Sequence, residues 1–173
     1  MEKIDFEEVF PKLIKMEIFS GFKSDSPTDK QILKKVYEHF SLKEFKSGET
    51  IIKEGDYGEL FYLLLSGKVQ VFKKTLSGDQ IAIANLDASQ YFFFGENALI
   101  GKDTRSATVK ALTDCKTCTL SGKKFQELSE HEPTFGYRVL LRLSRRLCQT
   151  IRKADTDMAT LYEALFSEIE NYN

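Results

Sequence analysis

The chain has 173 residues, 25 basic and 26 acidic side chains, and a formal net charge of −1. That length supports one domain with its own core and is too short for two full-sized ones, and the balance of charge removes nucleic acid and anionic membrane as default partners. Three cysteines, an odd number, give no disulfide framework and point to a reducing compartment. No apolar run reaches membrane-spanning length, and the acidic start MEKIDFEEVF lacks the apolar stretch of a secretory signal. A cytoplasmic protein without membrane contact is therefore expected.

In chain order, Phe6, Val9, Phe10, Leu13, Ile14 and Ile18 recur at helical spacing, so residues 5–22 read as helical, with Pro11 forcing a kink or two short helices. Ser26-Pro27-Thr28-Asp29 is a helix start, and Ile32, Leu33, Val36, Tyr37 and Phe40 form the apolar face of the helix it opens. From Ser41 to Leu120 the period falls to two. Short strands are predicted near 42–46, 50–53, 60–65, 68–74, 80–86, 91–94, 106–112 and 115–120, separated by turns such as Gly55-Asp56 and Ser66-Gly67. Eight short antiparallel strands make a double-sheet jelly roll, giving an α+β fold that is mainly β.

From Gly122 the helical period returns. Phe125 and Leu128 mark a short helix, and Glu132-Pro133 separates it from a long one. Val139, Leu140, Leu143, Leu147 and Ile151 make an apolar stripe on that helix, with Arg138, Arg142, Arg145, Arg146, Arg152 and Lys153 on its other faces. At Ala154-Asp155-Thr156-Asp157 the stripe is expected to shift phase and the helix to break at residues that favour caps. A last helix then carries Met158, Leu161, Tyr162, Leu165, Phe166 and Ile169, too much apolar surface for a lone solvated helix. The expected organisation is one domain over 1–173, with N-terminal helices at 1–40, the roll at 41–121 and C-terminal helices at 122–173.

Residues 94–109, FGENALIGKDTRSATV, suit one chemical task, the holding of a ribose phosphate ester. The guanidinium of Arg105 is planar, always charged and forked, so it can meet two phosphate oxygens at once. Gly95 lets backbone approach a ligand. Glu96 offers an acceptor pair suited to a sugar hydroxyl, and the turn from Asn97 to Ile100 aims backbone N–H groups at an anion. A loop through Gly101, Lys102 and Asp103 joins these halves.

This stretch resembles the phosphate-binding cassette of cyclic nucleotide-binding domains, the family of the catabolite activator protein and of the regulatory subunits of cyclic-nucleotide-dependent kinases. The likeness is carried by Phe94-Gly95-Glu96, by Ala98-Leu99, and by Arg105-Ser106-Ala107-Thr108-Val109 at the family's spacing. The run SGETIIKEGDYGELFYLLLSGKVQVF is similar to the family's first half. The resemblance implies that Arg105 holds the cyclic phosphate with the Ser106 hydroxyl and the Ala107 amide. Glu96 would take the ribose 2′-OH, and Phe94, Gly95, Asn97 and Ala98 would supply backbone beside it. Val71, Ile83 and Ala84 would wall the purine, and Thr150, soon after Arg145-Arg146-Leu147, would reach the base. Ser106, rather than a threonine, after the arginine implies cAMP in preference to cGMP. One departure precedes the cassette. Leu86 to Phe94 contains no glycine where the family carries one, so a bulge or altered corner is expected there.

Other motifs carry less. Cys115 and Cys118 lie three apart in a predicted strand and so face opposite sides, and no second pair completes a metal site. His39 and His131 sit singly at helix ends. No nucleophile motif or phosphate-binding P-loop is present, and no catalytic residue, metal or cofactor is expected. The reading is a sensor that signals through its C-terminal helices to an effector protein and forms a homodimer through those helices. One alternative is a degenerate jelly roll serving as scaffold, which intact Glu96 and Arg105 oppose. Another is a transcription regulator of the catabolite-activator type. Sixteen residues follow Asp157 and read as one acidic amphipathic helix, so DNA binding by this chain alone is not expected.

Overall fold

The structure, a computed structural model, describes residues 4–101 and 104–171. Lys102 and Asp103 of the cassette loop lie outside them. At the N-terminal end, α1 (Phe6–Leu13) buries Phe6, Val9, Phe10 and Leu13, and the Asp5 carboxylate accepts from the Glu7 amide at its start. Pro11 sits inside α1, which ends two residues later, and a separate 3-10 turn follows at Glu17–Phe19. Two short helical pieces thus replace one long helix. In α2 (Pro27–Tyr37), Ser26 accepts from the Asp29 amide and proline occupies the first turn, where its missing N–H costs nothing.

Eight strands follow. They are β1 (Ser41–Phe45), β2 (Thr50–Ile52), β3 (Leu60–Ser66), β4 (Lys68–Lys74), β5 (Gln80–Asp87), β6 (Phe93–Phe94), β7 (Thr108–Ala111) and β8 (Cys115–Ser121). They form two antiparallel four-stranded sheets, ordered β1-β8-β3-β6 and β2-β7-β4-β5. The β3 run FYLLL is apolar without alternation because both its faces are covered. Phe61, Leu63 and Leu65 turn to a cluster shared with the helices, while Tyr62 and Leu64 turn into the roll against Ile52, Val69, Phe94 and Val109. Cys118 falls in the first cluster and Cys115 in the second, so the two cysteines face opposite sides as their spacing requires.

The glycine-free segment makes the altered corner. Ala88–Gln90 form a 3-10 turn closed by Tyr91 in the left-handed conformation, φ 60° and ψ 42°. A bulky residue there is strained by about 1–2 kcal/mol. Lys15 holds it in place, donating to the Tyr91 hydroxyl at 3.2 Å and lying 5.2 Å from its ring centroid.

After the short α3 (Asn97–Ile100) and α4 (Gly122–His131), α5 runs from Pro133 to Asn171 without interruption. The break expected at 154–157 is absent. Thr156 donates to the Arg152 carbonyl at 3.0 Å, and Thr160 to the Thr156 carbonyl at 3.0 Å, so these side chains back-bond along the helix rather than cap it. Nor does the stripe shift phase. Leu147, Ile151, Ala154, Met158, Leu161 and Leu165 are spaced four, three, four, three and four apart, and Ala154 carries the pattern across the supposed break.

Candidate functional site

The cassette reaches its geometry through two glycines and one arginine. Gly95 follows β6 with φ +75°, a conformation that L side chains rarely adopt, and a Cβ there would meet Arg105 Nη1 at 2.9 Å and the Leu60 carbonyl at 3.0 Å. A Cβ on Gly58 would overlap the Arg105 guanidinium itself. Between them the guanidinium donates to the Leu60 carbonyl at 2.6 Å and to the Gly95 carbonyl at 3.3 Å. The backbone of Arg105 is fixed as well, since its amide donates to the Asp56 carbonyl at 2.8 Å and its carbonyl accepts from the Gly55 amide at 2.9 Å. Burial lowers the pKa of the guanidinium, while Tyr62 and Glu96 push it up. An arginine stays protonated under such opposing effects. Its hydrogen bonds among the described residues go to the neutral carbonyls of Leu60 and Gly95, and the guanidinium, with five N–H groups, lines the cavity.

That cavity holds about 260 Å³. Phe94 to Ala98 and Arg105 to Ala107 line one side, and Ile52, Val71, Ala84, Leu86 and Val109 line the apolar side. Ten of the twelve residues singled out from sequence therefore come together. Ile83 does not. A bulge sets Val71 opposite Ala84 and Phe72 opposite Ala82, which leaves Ile83 unpaired between them and 55% exposed. Thr150 also lies outside the lining, exposed on α5 with its hydroxyl donating to the Arg146 carbonyl at 3.1 Å. Ser106 is exposed at the rim, and its carbonyl accepts from Lys73.

Sequence reasoning passed over Arg146, the one residue of α5 that lines the cavity. Its Nε lies 3.5 Å from a Glu96 carboxylate oxygen and its Nη1 3.0 Å from Glu17. Its Cζ sits 4.7 Å from the Phe93 ring centroid, a cation–π distance. One side chain thus ties the long helix to the cassette and to the 3-10 turn near the N-terminus. The available signal was a ladder of arginines at 138, 142 and 146, spaced one helical turn apart beside buried Val139 and Leu143. Arg138 pairs with Asp29 at 2.7 Å, and Arg142 donates to the Ser20 carbonyl at 3.3 Å. The arrangement offers a half-buried cation for an anion, a carboxylate for a hydroxyl, and apolar sheet for a flat ring. Among the described residues no cluster of three or more His, Cys, Asp or Glu side chains could hold a metal ion.

Comparison with known proteins agrees with this geometry. The sequence profile of the family described as "Cyclic nucleotide-binding domain" matches residues 42–132. The chain is 34% identical over 116 residues to the cAMP-activated global transcriptional regulator CRP of Pasteurella multocida, covering 66% of this chain and 54% of that one. It is 36% identical over 101 residues to a cAMP-dependent protein kinase regulatory subunit of Dictyostelium discoideum, covering 53% and 30%. The crystal structure of the Thermus thermophilus catabolite activator protein superposes with a TM-score of 0.70 at 26% identity, covering 84% of this chain and 62% of that one. The chain spans about half the length of the transcription regulators it matches first.

Proposed function

Because the chain belongs to the cyclic nucleotide-binding domain family, we propose that it is a regulatory module that binds a cyclic nucleotide, cAMP in preference to cGMP, and binds it without cleaving it. The observation that carries this reading is the Arg105 guanidinium, seated between Gly58 and Gly95 and open to a cavity that also holds Glu96. In the bound state the cyclic phosphate lies on Arg105 with Ser106 and the Ala107 amide. The ribose 2′-OH donates to Glu96, with Phe94, Gly95, Asn97 and Ala98 around it. The purine rests on Val71 and Ala84. Ile83 and Thr150 join this set only if β5 and α5 move inward. Amides and an arginine stabilise a bound anion, and the carboxylate that lines the described cavity, Glu96, is assigned to the ribose rather than to the phosphate.

Output follows from Arg146. A sugar hydroxyl on Glu96 competes with the Arg146 side chain, so the ligand acts on the contact that holds α5 to the cassette. It shifts the helix only as far as it binds one arrangement better than the other. The proposed partners are a second copy of the chain, met through α5, and an effector protein, in the cytoplasm. Among the described residues no helix is long and apolar enough to cross a membrane. The test is calorimetric titration of nucleotide-stripped protein with cAMP and cGMP, with Arg105→Ala as control. Binding of cAMP that the variant loses supports the reading, and no binding of either nucleotide to the wild type leaves a jelly-roll scaffold.

A further inference from the structure

The residues proposed for the phosphate follow one another in the chain, and they are held in different ways. Arg105 is fixed by its own backbone and by two carbonyls. Ser106 and Ala107 also line the cavity, and they come just before β7 starts at Thr108. The register of β4 with β7 ends at the pair Phe72–Thr108, so both residues lie beyond the ladder. A side chain takes over where the register stops. Lys73, the next residue of β4, donates from its ammonium to the Ser106 carbonyl.

That carbonyl belongs to the same peptide unit as the Ala107 amide. A trans peptide is planar, with its oxygen and its amide hydrogen on opposite edges. Lys73 stands two residues past Val71 on the same face of β4, outside the lining to which Val71, Ser106 and Ala107 belong. An ammonium holding the oxygen edge from there leaves the N–H edge for the cavity. It also polarises the unit, because a charge-assisted bond to the carbonyl makes the N–H of the same peptide a stronger donor. Resting on the reading of this cavity as a cyclic nucleotide site, we propose that Lys73 is a positioning residue for the phosphate. It acts through the Ser106–Ala107 peptide, aiming and strengthening the Ala107 amide.

Glu54 sets the direction in which Lys73 reaches. It follows β2, and its amide donates to the Thr108 hydroxyl at 3.0 Å. One carboxylate oxygen accepts from the Lys74 amide at 2.9 Å, and the other lies 3.3 Å from the Lys73 ammonium. Against the opposing effect of burial, the Lys74 amide and the Lys73 ammonium hold this carboxyl below its ordinary value, so it stays charged. Glu54 thus joins the end of β2, the end of β4 and the start of β7 at the foot of the Ser106–Ala107 arm. An apolar residue at position 73 would suit the strand equally well and would offer the carbonyl no donor.

The experiment is calorimetric titration of nucleotide-stripped wild type, Lys73→Met, Lys73→Arg and Glu54→Gln. The ligands are cAMP and the two diastereomers of its phosphorothioate, in which sulfur replaces one exocyclic oxygen or the other. Sulfur accepts hydrogen bonds weakly, so each diastereomer reads the donors that face one oxygen. Lys73→Met should weaken cAMP by about tenfold, the scale of a hydrogen bond to a charged group. In that variant the loss caused by sulfur should shrink for one diastereomer and keep its wild-type value for the other, as coupling to a single oxygen requires. Lys73→Arg should restore both results, and Glu54→Gln should show the same change in smaller measure. Equal losses for cAMP and both analogues would mean that Lys73 only supports the fold. Unchanged cAMP affinity in Lys73→Met would mean that the peptide is aimed without it. Either result overturns the proposal while leaving the nucleotide site. A wild type that binds no cAMP overturns the site itself, and the role of Lys73 with it.

Discussion

Around Arg105 the chain answers its own polar groups. The guanidinium is cradled by two carbonyls, its backbone is bonded on both sides, and two glycines clear its space. Beyond Leu147 the same chain forms a regular helix whose large apolar side chains stay in solvent. Both regions are well-formed secondary structure. They differ in where the stabilising contacts come from, within the domain for one and, on the pairing proposed for α5, outside the protomer for the other. A substitution in the first should thus be felt by a single molecule. A substitution in the second should be felt only where molecules meet.

The sharpest way to break this contrast is Arg105→Ala. It should cost about 2–5 kcal/mol of nucleotide affinity, as loss of one partner of a buried charge pair does, and a loss below threefold in calorimetry would place the phosphate elsewhere. Next is Asp29→Ala, which removes the acceptor of Arg138 and of the Lys23 amide, and should lower unfolding free energy by about 3 kcal/mol in urea titration. Burial raises the pKa of this carboxyl, but the Lys23 amide and the Arg138 guanidinium outweigh it and leave it below its usual value of 3.8. A depressed folded-state value means that the stabilisation is present above the unfolded pKa and is lost as pH falls through the folded one. The wild type should therefore lose this contribution in acid, below about pH 4, and the variant should lack that component.

Leu161→Asp should weaken self-association by about 2 kcal/mol, the scale of a buried interface anchor, with thermal stability and nucleotide affinity of the isolated protomer unchanged. An equal fall in protomer stability would show that the outer helix folds back on its own domain. Glu96→Gln should cost about 1.5 kcal/mol for a ribonucleotide, in the range of hydrogen bonds to charged groups, and far less for its 2′-deoxy analogue. Equal losses would separate Glu96 from the ribose. The smallest effect should come from Thr156→Ala, which should add about 0.5 kcal/mol of helical stability by circular dichroism. A loss instead would restore Thr156 as a cap and the helix break with it.

The same contrast explains what could be read from the sequence. Strands showed as short β-favouring runs set between glycine turns, since β3 is covered on both faces and β5 is exposed along most of its length, so alternation alone marks neither. The cassette showed because its chemistry is local, with Phe94 to Ala98 and Arg105 to Ala107 close in the chain. Arg146 was missed because its partners, Glu17, Phe93 and Glu96, come from three separate elements. Ile83 was misplaced because one extra residue in β5 turns it away from Ala84's side, and a bulge leaves no mark in the alternation. The break at 154–157 was expected from residues that favour caps. In a helix already propagating, Thr156 bonds back to the carbonyl four residues earlier, and Ala154 keeps the seam in phase.

The unbroken run of α5 also has a mechanical side. Its last contact with the cassette is Arg146, and the 25 residues from there to Asn171 project about 37 Å at 1.5 Å per residue. A rod of that length amplifies rotation. A pivot of about 10° at Arg146 would sweep the far end through about 6 Å, more than one helical pitch. A displacement too small to reshape the cavity would thus be a full step for whatever holds the tip, and a hinge at 154–157 would have absorbed it.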